Sequence, residues 1–350
     1  MENETLSLVT GAGGFLGGHL VGRLAQRGKP VRAMVLSPRQ QAALAAVGVD
    51  TVQADLSCPE ELRRALQGAG IVYHCAAKLP GQASDEEIQR VNVEGTAALL
   101  DASVAAGVRR FVFVSTDSVY GDGHQPAATE STPVRPEYLF EGDYPRSKYA
   151  GELLCREAEL RHGLAITILR TCMIYGPGES TSGDFFRRWS RKRIHLLFEG
   201  GRARLSMIYV TDLADALIVA AEATVAAGQC YNATDGVPHS IGEILQEIAL
   251  ASGRRKTLIP VPKLPAYWAC RLLHPIAKRL GDDLANRVDP RKLLFQTADH
   301  VMSEAKLREE LGFRPQVTLR EGLGQTIRWL DAAVDVPVEV KKNGPSETSA

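Results

Sequence analysis

A glycine-rich turn near the start of the chain constrains the fold more than any other feature. It runs over residues 10–20 and spaces Gly11, Gly14 and Gly17 three residues apart, between an apolar strand at 6–9 and an amphipathic stretch. Missing side chains let a backbone approach a pyrophosphate, and the N-terminus of the following helix supplies N–H groups and a positive dipole. The order of strand, turn and helix therefore predicts a phosphate-binding βαβ unit.

Apolar runs and helical stretches then alternate along roughly the first 170 residues, as βαβ units do. Further strands are predicted at 31–36, 49–54, 71–77, 111–114 and 165–169, and residues 230–233 are expected to return to the same sheet. Because such alternation builds parallel sheets with helices on both faces, the fold class is α/β with a doubly wound parallel sheet.

The composition excludes several other classes of protein. The 350 residues are 45% hydrophobic and 23% charged with no net charge, which is typical of a globular protein and gives no reason to expect a nucleic-acid partner. No apolar run reaches the ~18 residues of a membrane span, and the acidic N-terminus does not fit a signal peptide. The six scattered cysteines predict neither a metal site nor a disulfide framework, and favour a cytoplasmic location.

A hydroxyl, a phenol and an ammonium group follow the strand at 111–114. Thr116 comes just after that strand, and Tyr144 and Lys148 are four residues apart, which places both on one face of a helix. Pro145 is tolerated in a first helical turn. A nearby ammonium lowers the pKa of a phenol from its usual ~10, so the three groups can move a proton at an alcohol or ketone oxygen. Alone, this spacing more often marks an ordinary surface pair.

Taken together, the motifs resemble the extended short-chain dehydrogenase/reductase family, also called the NAD-dependent epimerase/dehydratase family. The residues that carry the resemblance follow in family order over 5–332: Thr10-Gly11-x-x-Gly14-x-x-Gly17, Asp55-Leu56, His74-x-Ala76-Ala77, Asn92 with Gly95-Thr96, Ser115-Thr116 leading to Val119-Tyr120-Gly121, Tyr144-x-x-Ser147-Lys148, Arg170 with Tyr175-Gly176-Pro177-Gly178, and Tyr209-Val210-x-Asp212.

The resemblance implies a Rossmann domain at 1–175, to which 205–235 returns, and a smaller, mainly substrate-binding domain at 176–332. The tail at 333–350 is polar and is predicted to be disordered.

By resemblance Thr116, Tyr144 and Lys148 are catalytic and hydride is transferred at a secondary alcohol or ketone. Family members often pair through helices like those predicted at 84–106 and 144–162, so a homodimer is expected. The expected cofactor-binding residues are Gly11, Gly13, Gly14, Phe15, Leu16, Gly17, Ser37, Arg39, Asp55, Leu56, Ala76, Ala77, Lys78, Asn92, Ser115, Tyr144, Lys148, Thr171 and Met173.

The end of the second strand bears on the choice of cofactor. A cofactor without a ribose 2′-phosphate prefers an Asp or Glu there, whereas this chain has Ser37 and Arg39. Both side chains could meet a 2′-phosphate, which slightly favours NADP over NAD. The alternative is that Arg39 is a solvated loop charge and that the cofactor is NAD. Asp55 could accept a hydrogen bond from an adenine amino group.

Three positions distinguish the branches of the family. Sugar dehydratases carry a catalytic Glu where this chain has Ser118, and nucleotide-sugar epimerases usually carry an Asn where it has Met173. The epimerases also place a diphosphate-pairing Arg in the region of 205–207, which is Leu-Ser-Met here. The chain therefore most resembles the 3β-hydroxysteroid dehydrogenase branch, and predicts a small hydrophobic substrate such as a sterol, steroid or 3-oxo compound. The alternatives are a nucleotide-sugar epimerase or reductase, and a non-catalytic cofactor-sensing protein.

Residues 260–281 combine large apolar side chains with Arg271, Lys278 and Arg279. The pattern predicts a helix, broken near Pro275, with one apolar and one basic side. Helices of that kind lie at a membrane surface or close over an apolar ligand, so a peripheral membrane contact is one hypothesis. The other is that the helix buries its apolar side against the C-terminal core.

Overall fold

The computed structural model describes residues 5–81, 83–123, 127–136, 142–179 and 183–332. The predicted disordered tail at 333–350 lies outside these residues. The strands are β1 (Leu6–Thr10), β2 (Val31–Val35), β3 (Asp50–Gln53), β4 (Ala69–His74), β5 (Arg110–Thr116), β6 (Ala165–Thr171), β7 (Met173–Tyr175), β8 (Ile194–Phe198), β9 (Arg204–Leu205), β10 (Met207–Tyr209), β11 (Gln229–Ala233), β12 (His239–Ser240) and β13 (Thr257–Val261).

The helices cover both sides of the main sheet and much of the second half of the chain. They are α1 (Phe15–Gln26), α2 (Pro38–Ala45), α3 (Pro59–Leu66), α4 (Asp85–Gln89), α5 (Gly95–Ala105), α6 (Tyr144–His162), α7 (Gly183–Arg191), α8 (Val210–Glu222), α9 (Ile241–Ser252), α10 (Lys263–Leu280), α11 (Asp282–Arg287), α12 (Pro290–Gln296), α13 (Ala305–Leu311) and α14 (Leu319–Ala332). A π-helical turn, Arg90–Glu94, joins α4 to α5.

Seven parallel strands form the central sheet in the order β11-β6-β5-β4-β1-β2-β3. The strand order reverses at β1, which has β2 on one side and β4 on the other. In open sheets of this kind the ligand crevice lies at the carboxyl ends of the strands beside such a reversal. The predicted doubly wound α/β fold is confirmed, and β11 joins the sheet beside β6 as the return of 230–233 required.

Helices bury both faces of this sheet, so its inner strands carry apolar residues on both faces. On one face α1 and α8 contribute buried side chains such as Leu20 and Leu217. On the other, α3, α5 and α6 contribute Leu62, Leu99 and Cys155. The packing on both faces holds the strands in place, and so positions their carboxyl ends, where the site is built.

The second half of the chain forms small two-stranded sheets and a third apolar cluster. β7 pairs with β10 and β8 with β13, both in parallel, and β9 pairs with β12. The third cluster centres on Tyr175, Phe186 and Met207, with α9 and α14 packed against it. Ser240 and Glu243 form a capping box at the start of α9. The division near residue 175 into a cofactor domain and a substrate domain stays a prediction.

The segment 204–209 forms two short strands rather than one, because β9 and β10 pair with different partners and Ser206 separates them. The backbone N–H of Ser206 donates instead to the carbonyl of His300, and its hydroxyl accepts from the N–H of Met302. A segment from the C-terminal part of the chain is therefore held against this break.

The break predicted near Pro275 in the helix at 260–281 is wrong. α10 continues through Pro275, which costs a helix one N–H and one hydrogen bond. Pro275 and Arg271, whose carbonyl loses that bond, are both exposed, so water can satisfy the carbonyl. The apolar side of α10 is not buried against a core: its leucines at 264, 272, 273 and 280 are exposed. No helix in the described part of the chain is long and apolar enough to cross a membrane.

Candidate active site

A cleft of about 670 Å³ opens at the carboxyl ends of the central strands and continues under the second half of the chain. The expected site residues that line it are Gly11, Gly13, Gly14, Phe15, Leu16, Gly17, Asp55, Leu56, Ala76, Ala77, Lys78, Ser115, Thr116, Tyr144, Lys148, Thr171 and Met173. Ser37, Arg39 and Asn92 are not among the lining residues. The fold thus brings residues from six separate segments of the chain around one cavity.

The glycine-rich turn needs its glycines for close packing. Gly11 has φ +67°, and a Cβ there would lie 2.8 Å from backbone atoms of Ala76, two residues after β4. A Cβ on Gly17 would lie 2.2 Å from the carbonyl oxygen of Gly11. α1 can therefore start directly against the turn, with Gly14 as its N-cap. The residues at its start line the cleft, and the unbonded N–H groups of a first helical turn are suited to hold a pyrophosphate.

Asp55, which follows β3 and lines the same cleft, has its side chain held in the charged form. Its Oδ1 accepts hydrogen bonds from the backbone N–H of Ser57 at 2.8 Å and from the Ser57 hydroxyl at 2.7 Å. These bonds lower the pKa of Asp55 below its ordinary value. An ionised, oriented acceptor beside Leu56 suits the amino edge and the flat face of an adenine.

Neither Ser37 nor Arg39 lines the cleft, because Ser37 caps a helix and Arg39 is exposed. The Ser37 hydroxyl accepts from the N–H of Gln40 at 3.2 Å and so caps α2, and the Gln40 side chain returns to the N–H of Ser37. Arg39 is exposed. Leu36 and Gln40, rather than Ser37 and Arg39, line the cleft at this end. A 2′-phosphate would therefore find no described arginine from this loop in the wall of the cleft.

Asn92 positions the loop after β4 instead of lining the cavity. It is buried in the π-helical turn; its Oδ1 accepts from the N–H of Lys78 at 2.7 Å, and its Nδ2 donates to the Lys78 carbonyl and to the Ser147 hydroxyl, each at 3.0 Å. Ser147 in turn donates to the carbonyl of Tyr144 at 2.8 Å. One buried amide thus ties the cofactor-side loop to the start of α6.

A second buried chain of hydrogen bonds links the ends of β1 and β4. Thr10 and His74 are register partners; Nδ1 of His74 lies 2.7 Å from the Thr10 hydroxyl, and Nε2 lies 2.9 Å from the hydroxyl of Thr96. Because the Thr96 hydroxyl donates to the carbonyl of Asn92, it accepts from Nε2. Burial lowers the pKa of His74 to about 3, so the ring is neutral. His74 therefore stabilises the turn as a neutral bridge between Thr10 and Thr96.

The three expected catalytic side chains lie on two neighbouring elements. Thr116 ends β5, where its hydroxyl accepts from the N–H of Ser118 and lies 3.1 Å from the Ser118 hydroxyl. α6 begins at Tyr144 with Pro145 in its first turn, and Tyr144 is half-buried while Lys148 is buried. All three line the cleft, with the hydroxyl at a strand end and the phenol and ammonium at a helix start.

Lys148 has an apolar neighbour that the sequence did not indicate. Its Nζ lies 4.2 Å from the centre of the Phe113 ring, which favours a cation over the face of the ring. Burial nevertheless disfavours the charged form and lowers the pKa of Lys148 to about 8. At neutral pH the group is still an ammonium, held in a low-dielectric setting where its effect on a neighbouring phenol is strong.

A buried polar network supports α6 from below. Glu152, one turn beyond Lys148, forms a bidentate ion pair with Arg170 of β6 and accepts from the Ser115 hydroxyl at 2.6 Å. Nη1 of Arg170 donates to the hydroxyl of Tyr120 at 3.0 Å, and that hydroxyl donates to Asn232 at 2.7 Å. Glu152 was not predicted from the sequence. The available signal was that Tyr144, Lys148 and Glu152 follow one another at four-residue spacing on one face of the helix.

The end of the cleft formed by the second half of the chain has slightly more apolar than polar side chains. Four lining side chains there are apolar: Met173, Ile174, Leu205 and Phe295. Glu179, Ser206 and His300, all buried, add polar atoms. The centre of the His300 ring lies 4.3 Å from that of Phe295, and Nε2 of His300 donates to the Phe295 carbonyl. Sequence reasoning found neither Phe295 nor His300, because no local pattern connects residues near 300 with residues near 173.

Arginine is scarce in the lining of the cleft. Of the described lining residues only Arg90 is an arginine, and it lies near Asp55 at the adenine end, where its charge lowers the pKa of that carboxyl. Arg204, beside Leu205, is half-exposed and pairs with Asp299 at 2.9 Å. Among the described residues, no arginine at the Met173–Phe295 end of the cleft is placed to pair with a diphosphate.

The part of the chain that carries the glycine-rich turn, Thr116, Tyr144 and Lys148 matches a known family. Residues 7–234, more than half of the chain, match the family described as the NAD dependent epimerase/dehydratase family. The chain belongs to the NAD-dependent epimerase/dehydratase family. It is thus an enzyme of the extended short-chain dehydrogenase/reductase type, as its motifs predicted.

Relatives within the family carry different activities in their names. A 4-hydroxy-2-methyl-3-oxo-4-farnesyl-3,4-dihydroquinoline-1-oxide ketoreductase of Stigmatella aurantiaca is 27% identical, over 91% of this chain and 94% of the relative. The 3 beta-hydroxysteroid dehydrogenase type 7 of Homo sapiens is 30% identical, over 93% and 95%. A UDP-glucose 4-epimerase of Thermus thermophilus, solved with NAD, is 26% identical with a TM-score of 0.71, over 94% and 100%.

Proposed function

We propose that the protein is an NAD(P)-dependent oxidoreductase that transfers a hydride at a secondary alcohol or ketone of a hydrophobic substrate. The observation that carries the proposal is the continuity of the cleft. One cavity runs from the glycine-rich turn, past Thr116, Tyr144 and Lys148, into an end lined by Met173 and Phe295.

The residues of the cleft have complementary roles in this proposal. When bound, a nicotinamide dinucleotide supplies or accepts the hydride. Tyr144 gives a proton to the substrate oxygen during reduction and takes it back during oxidation. The buried ammonium of Lys148 favours the phenolate form of Tyr144, and the hydroxyl of Thr116 orients the same substrate oxygen. Asn92 and Glu152 hold α6 in place and do not touch the substrate.

The identity of the cofactor depends on the ribose end of the cleft. The sequence slightly favoured NADP because no carboxylate follows β2. Arg39, the side chain invoked for a 2′-phosphate, is exposed and does not line the cleft, and the hydroxyl of Ser37 is engaged in capping α2. The Thermus epimerase was solved with NAD. These observations favour NAD. The only support for NADP is that no carboxylate follows β2.

The hydrophobic substrate class rests on the lining of the far end. Apolar walls favour an apolar ligand by roughly 25 cal/mol per Å² buried, whereas a nucleotide sugar would have to lose the hydration of its diphosphate there without an arginine in return. Two relatives named above, a farnesyl-quinoline-oxide ketoreductase and a 3 beta-hydroxysteroid dehydrogenase, are named for hydrophobic carbonyl or hydroxyl compounds. The predicted homodimer, the cytoplasmic location and the absence of a nucleic-acid partner add no support and stay predictions.

A nucleotide-sugar epimerase is the second candidate. The observation in its favour is the likeness in fold to the Thermus UDP-glucose 4-epimerase over nearly the whole chain. Fold alone does not decide between the two, because both use the same cofactor region. A non-catalytic cofactor sensor is disfavoured, since it would have no need of Tyr144, Lys148 and Thr116 around one cavity.

Thermal unfolding in the presence of ligand tests the substrate class. The protein is saturated with NADH and titrated with UDP-glucose, with a 3-oxosteroid and with a long-chain 3-ketone. A ligand that binds only the folded state raises the melting temperature. We expect the two apolar ketones to raise it and to be reduced with loss of NADH absorbance. Stabilisation by UDP-glucose alone, with no reduction of either ketone, would replace this proposal with the epimerase.

A further inference from the structure

α10 presents its large apolar side chains to the outside of the molecule. An apolar residue occurs at every fourth position along one stripe, and this stripe comprises Leu264, Trp268, Leu272, Ile276 and Leu280. The five side chains are between 53% and 71% exposed. A helix of a globular protein normally turns such a stripe towards the core. The orientation here is the reverse.

The side of α10 that faces the protein is mostly small or polar. The less exposed positions of the helix are Lys263, Ala266, Tyr267, Cys270, His274 and Ala277, and only Ala277 is fully buried. His274 contacts the carbonyl of Ala285 through Nδ1 at 3.2 Å. α10 thus rests on α11 and α12 through its weakly apolar side. This packing leaves its hydrophobic side without a partner among the described residues.

The charge on α10 has one sign. Its 18 residues include Lys263, Arg271, Lys278 and Arg279 but no Asp or Glu, although the whole chain carries no net charge. Arg271 and Lys278 are seven residues apart, so they lie on the same flank of the apolar stripe, and the guanidinium of Arg271 lies 5.3 Å from the centre of the Trp268 ring. The apolar stripe therefore has a basic border.

We propose that α10 is a membrane-surface helix whose occupant is a bilayer with anionic headgroups. An apolar stripe that lies in the plane of the interface sinks into the acyl boundary, while a basic flank contacts the phosphates. Trp268 lies in the stripe, and the interface is where tryptophan is enriched. A second copy of this chain fits the surface less well, because two-fold packing of α10 on itself brings basic flank against basic flank.

The position of α10 connects this surface to the cleft. α10 packs against α12, and α12 carries Phe295, which lines the apolar end of the cavity. A protein docked through α10 would hold that end of the cleft close to the lipid, from which an apolar alcohol or ketone can enter. This last step rests on the proposed function, whereas the docking itself does not.

Vesicle flotation tests the docking without any substrate. The full chain with NADH is mixed with vesicles of phosphatidylcholine alone, or of phosphatidylcholine with an equal part of phosphatidylglycerol, and the bound fraction is measured. We expect binding to the mixed vesicles that weakens as salt is added. Leu272→Glu together with Ile276→Glu should weaken it about a hundredfold, since two large apolar side chains leave the interface. Leu250→Glu, at an equally exposed leucine of α9, is the matched control and should bind as the wild type does.

Two further measurements separate a lipid surface from other occupants. Arg271→Glu with Lys278→Glu should abolish the preference for phosphatidylglycerol, and the emission of Trp268 should shift to the blue on binding, a change that Trp268→Phe removes. The proposal is overturned if neither vesicle binds the protein. It is also overturned if Leu272→Glu with Ile276→Glu instead dissociates a dimer in analytical ultracentrifugation. If vesicles bind but no apolar ketone is reduced, the docking stands and the proposed function fails.

Discussion

Glu152 and Arg170 join the proposed catalytic helix to the central sheet through a buried bidentate ion pair. Nε of Arg170 lies 2.9 Å from Oε1 of Glu152, and Nη2 lies 2.6 Å from Oε2. Both side chains are less than a tenth exposed. A charge pair of this kind is costly to break, because loss of one partner leaves the other charge buried and uncompensated. It therefore fixes the angle and height at which α6 presents Tyr144 and Lys148 to the cleft.

The first prediction follows from that pair. Glu152→Gln should lower the free energy of unfolding by about 3–5 kcal/mol, because Arg170 keeps its charge and loses its carboxylate. Urea unfolding measures the change. Glu157→Gln, which breaks an exposed pair with Arg161 on the same helix, is the control and should cost less than about 1 kcal/mol. Equal midpoints for the two variants would contradict the structural role of Glu152.

The second prediction concerns the phenol of Tyr144. Tyr144→Phe should lower kcat by about a thousandfold or more, because the ring stays while the group that moves the proton is lost. NADH should bind to the variant with nearly unchanged Kd, measured by the change in its fluorescence. Tyr149→Phe, five residues further along α6, should keep the wild-type rate. A Tyr144→Phe enzyme that retains near wild-type kcat would remove Tyr144 from the mechanism.

The third prediction concerns Thr116, which should matter less than Tyr144. Thr116→Ala removes an orienting hydrogen bond but leaves the proton donor, and the hydroxyl of Ser118 lies within 3.1 Å of the lost group. We expect kcat/KM to fall by about tenfold to a hundredfold. Thr116→Ser keeps the hydroxyl and should recover most of that loss. If alanine and serine at this position are equally impaired, the methyl group and not the hydroxyl matters.

The fourth prediction concerns Lys148, whose replacement by Met should stabilise the protein while it removes the activity. Burial lowers the pKa of Lys148 from 10.5 to about 8, which corresponds to a cost of about 3 kcal/mol for burying the ammonium. Below about pH 8 the folded chain bears this cost in full. As the pH rises from about 8 to about 10.5, the unfolded chain binds the proton more tightly than the folded one, so the stability of the wild type increases.

Lys148→Met should therefore be inactive yet more stable than the wild type at about pH 7. Its advantage should shrink as the pH is raised towards about 10, which denaturant unfolding at several pH values will measure. An advantage that does not change with pH would show that the methionine acts through packing alone.

The fifth prediction concerns the cofactor. Because Arg39 is exposed and outside the lining of the cleft, we expect NADH to bind at least as tightly as NADPH. Arg39→Ala should leave both dissociation constants within about twofold of the wild type, as removal of a solvated charge does. A clear preference for NADPH that Arg39→Ala abolishes would restore the interpretation suggested by the sequence at 36–39.

The sequence predicted those parts of the site that depend on neighbours along the chain. The glycine spacing, the strand that precedes it and the helix that follows are local, so Gly11, Gly14 and Gly17 could be placed without a structure. The same holds for Tyr144 and Lys148, whose four-residue spacing is meaningful as soon as the segment is a helix.

Tertiary structure alone decided which distant segments meet. Phe295 and His300 reach the cleft although several helices and strands separate them in sequence from the other lining residues. Arg204 pairs with Asp299, more than ninety residues away in sequence. No periodic pattern records such contacts. The order of residues in α10 likewise determines that the helix is apolar on one side and basic on its border. Which side of α10 faces the core depends on the neighbouring elements. In the described fold α11 and α12 pack against the other side of α10, so its apolar side stays exposed.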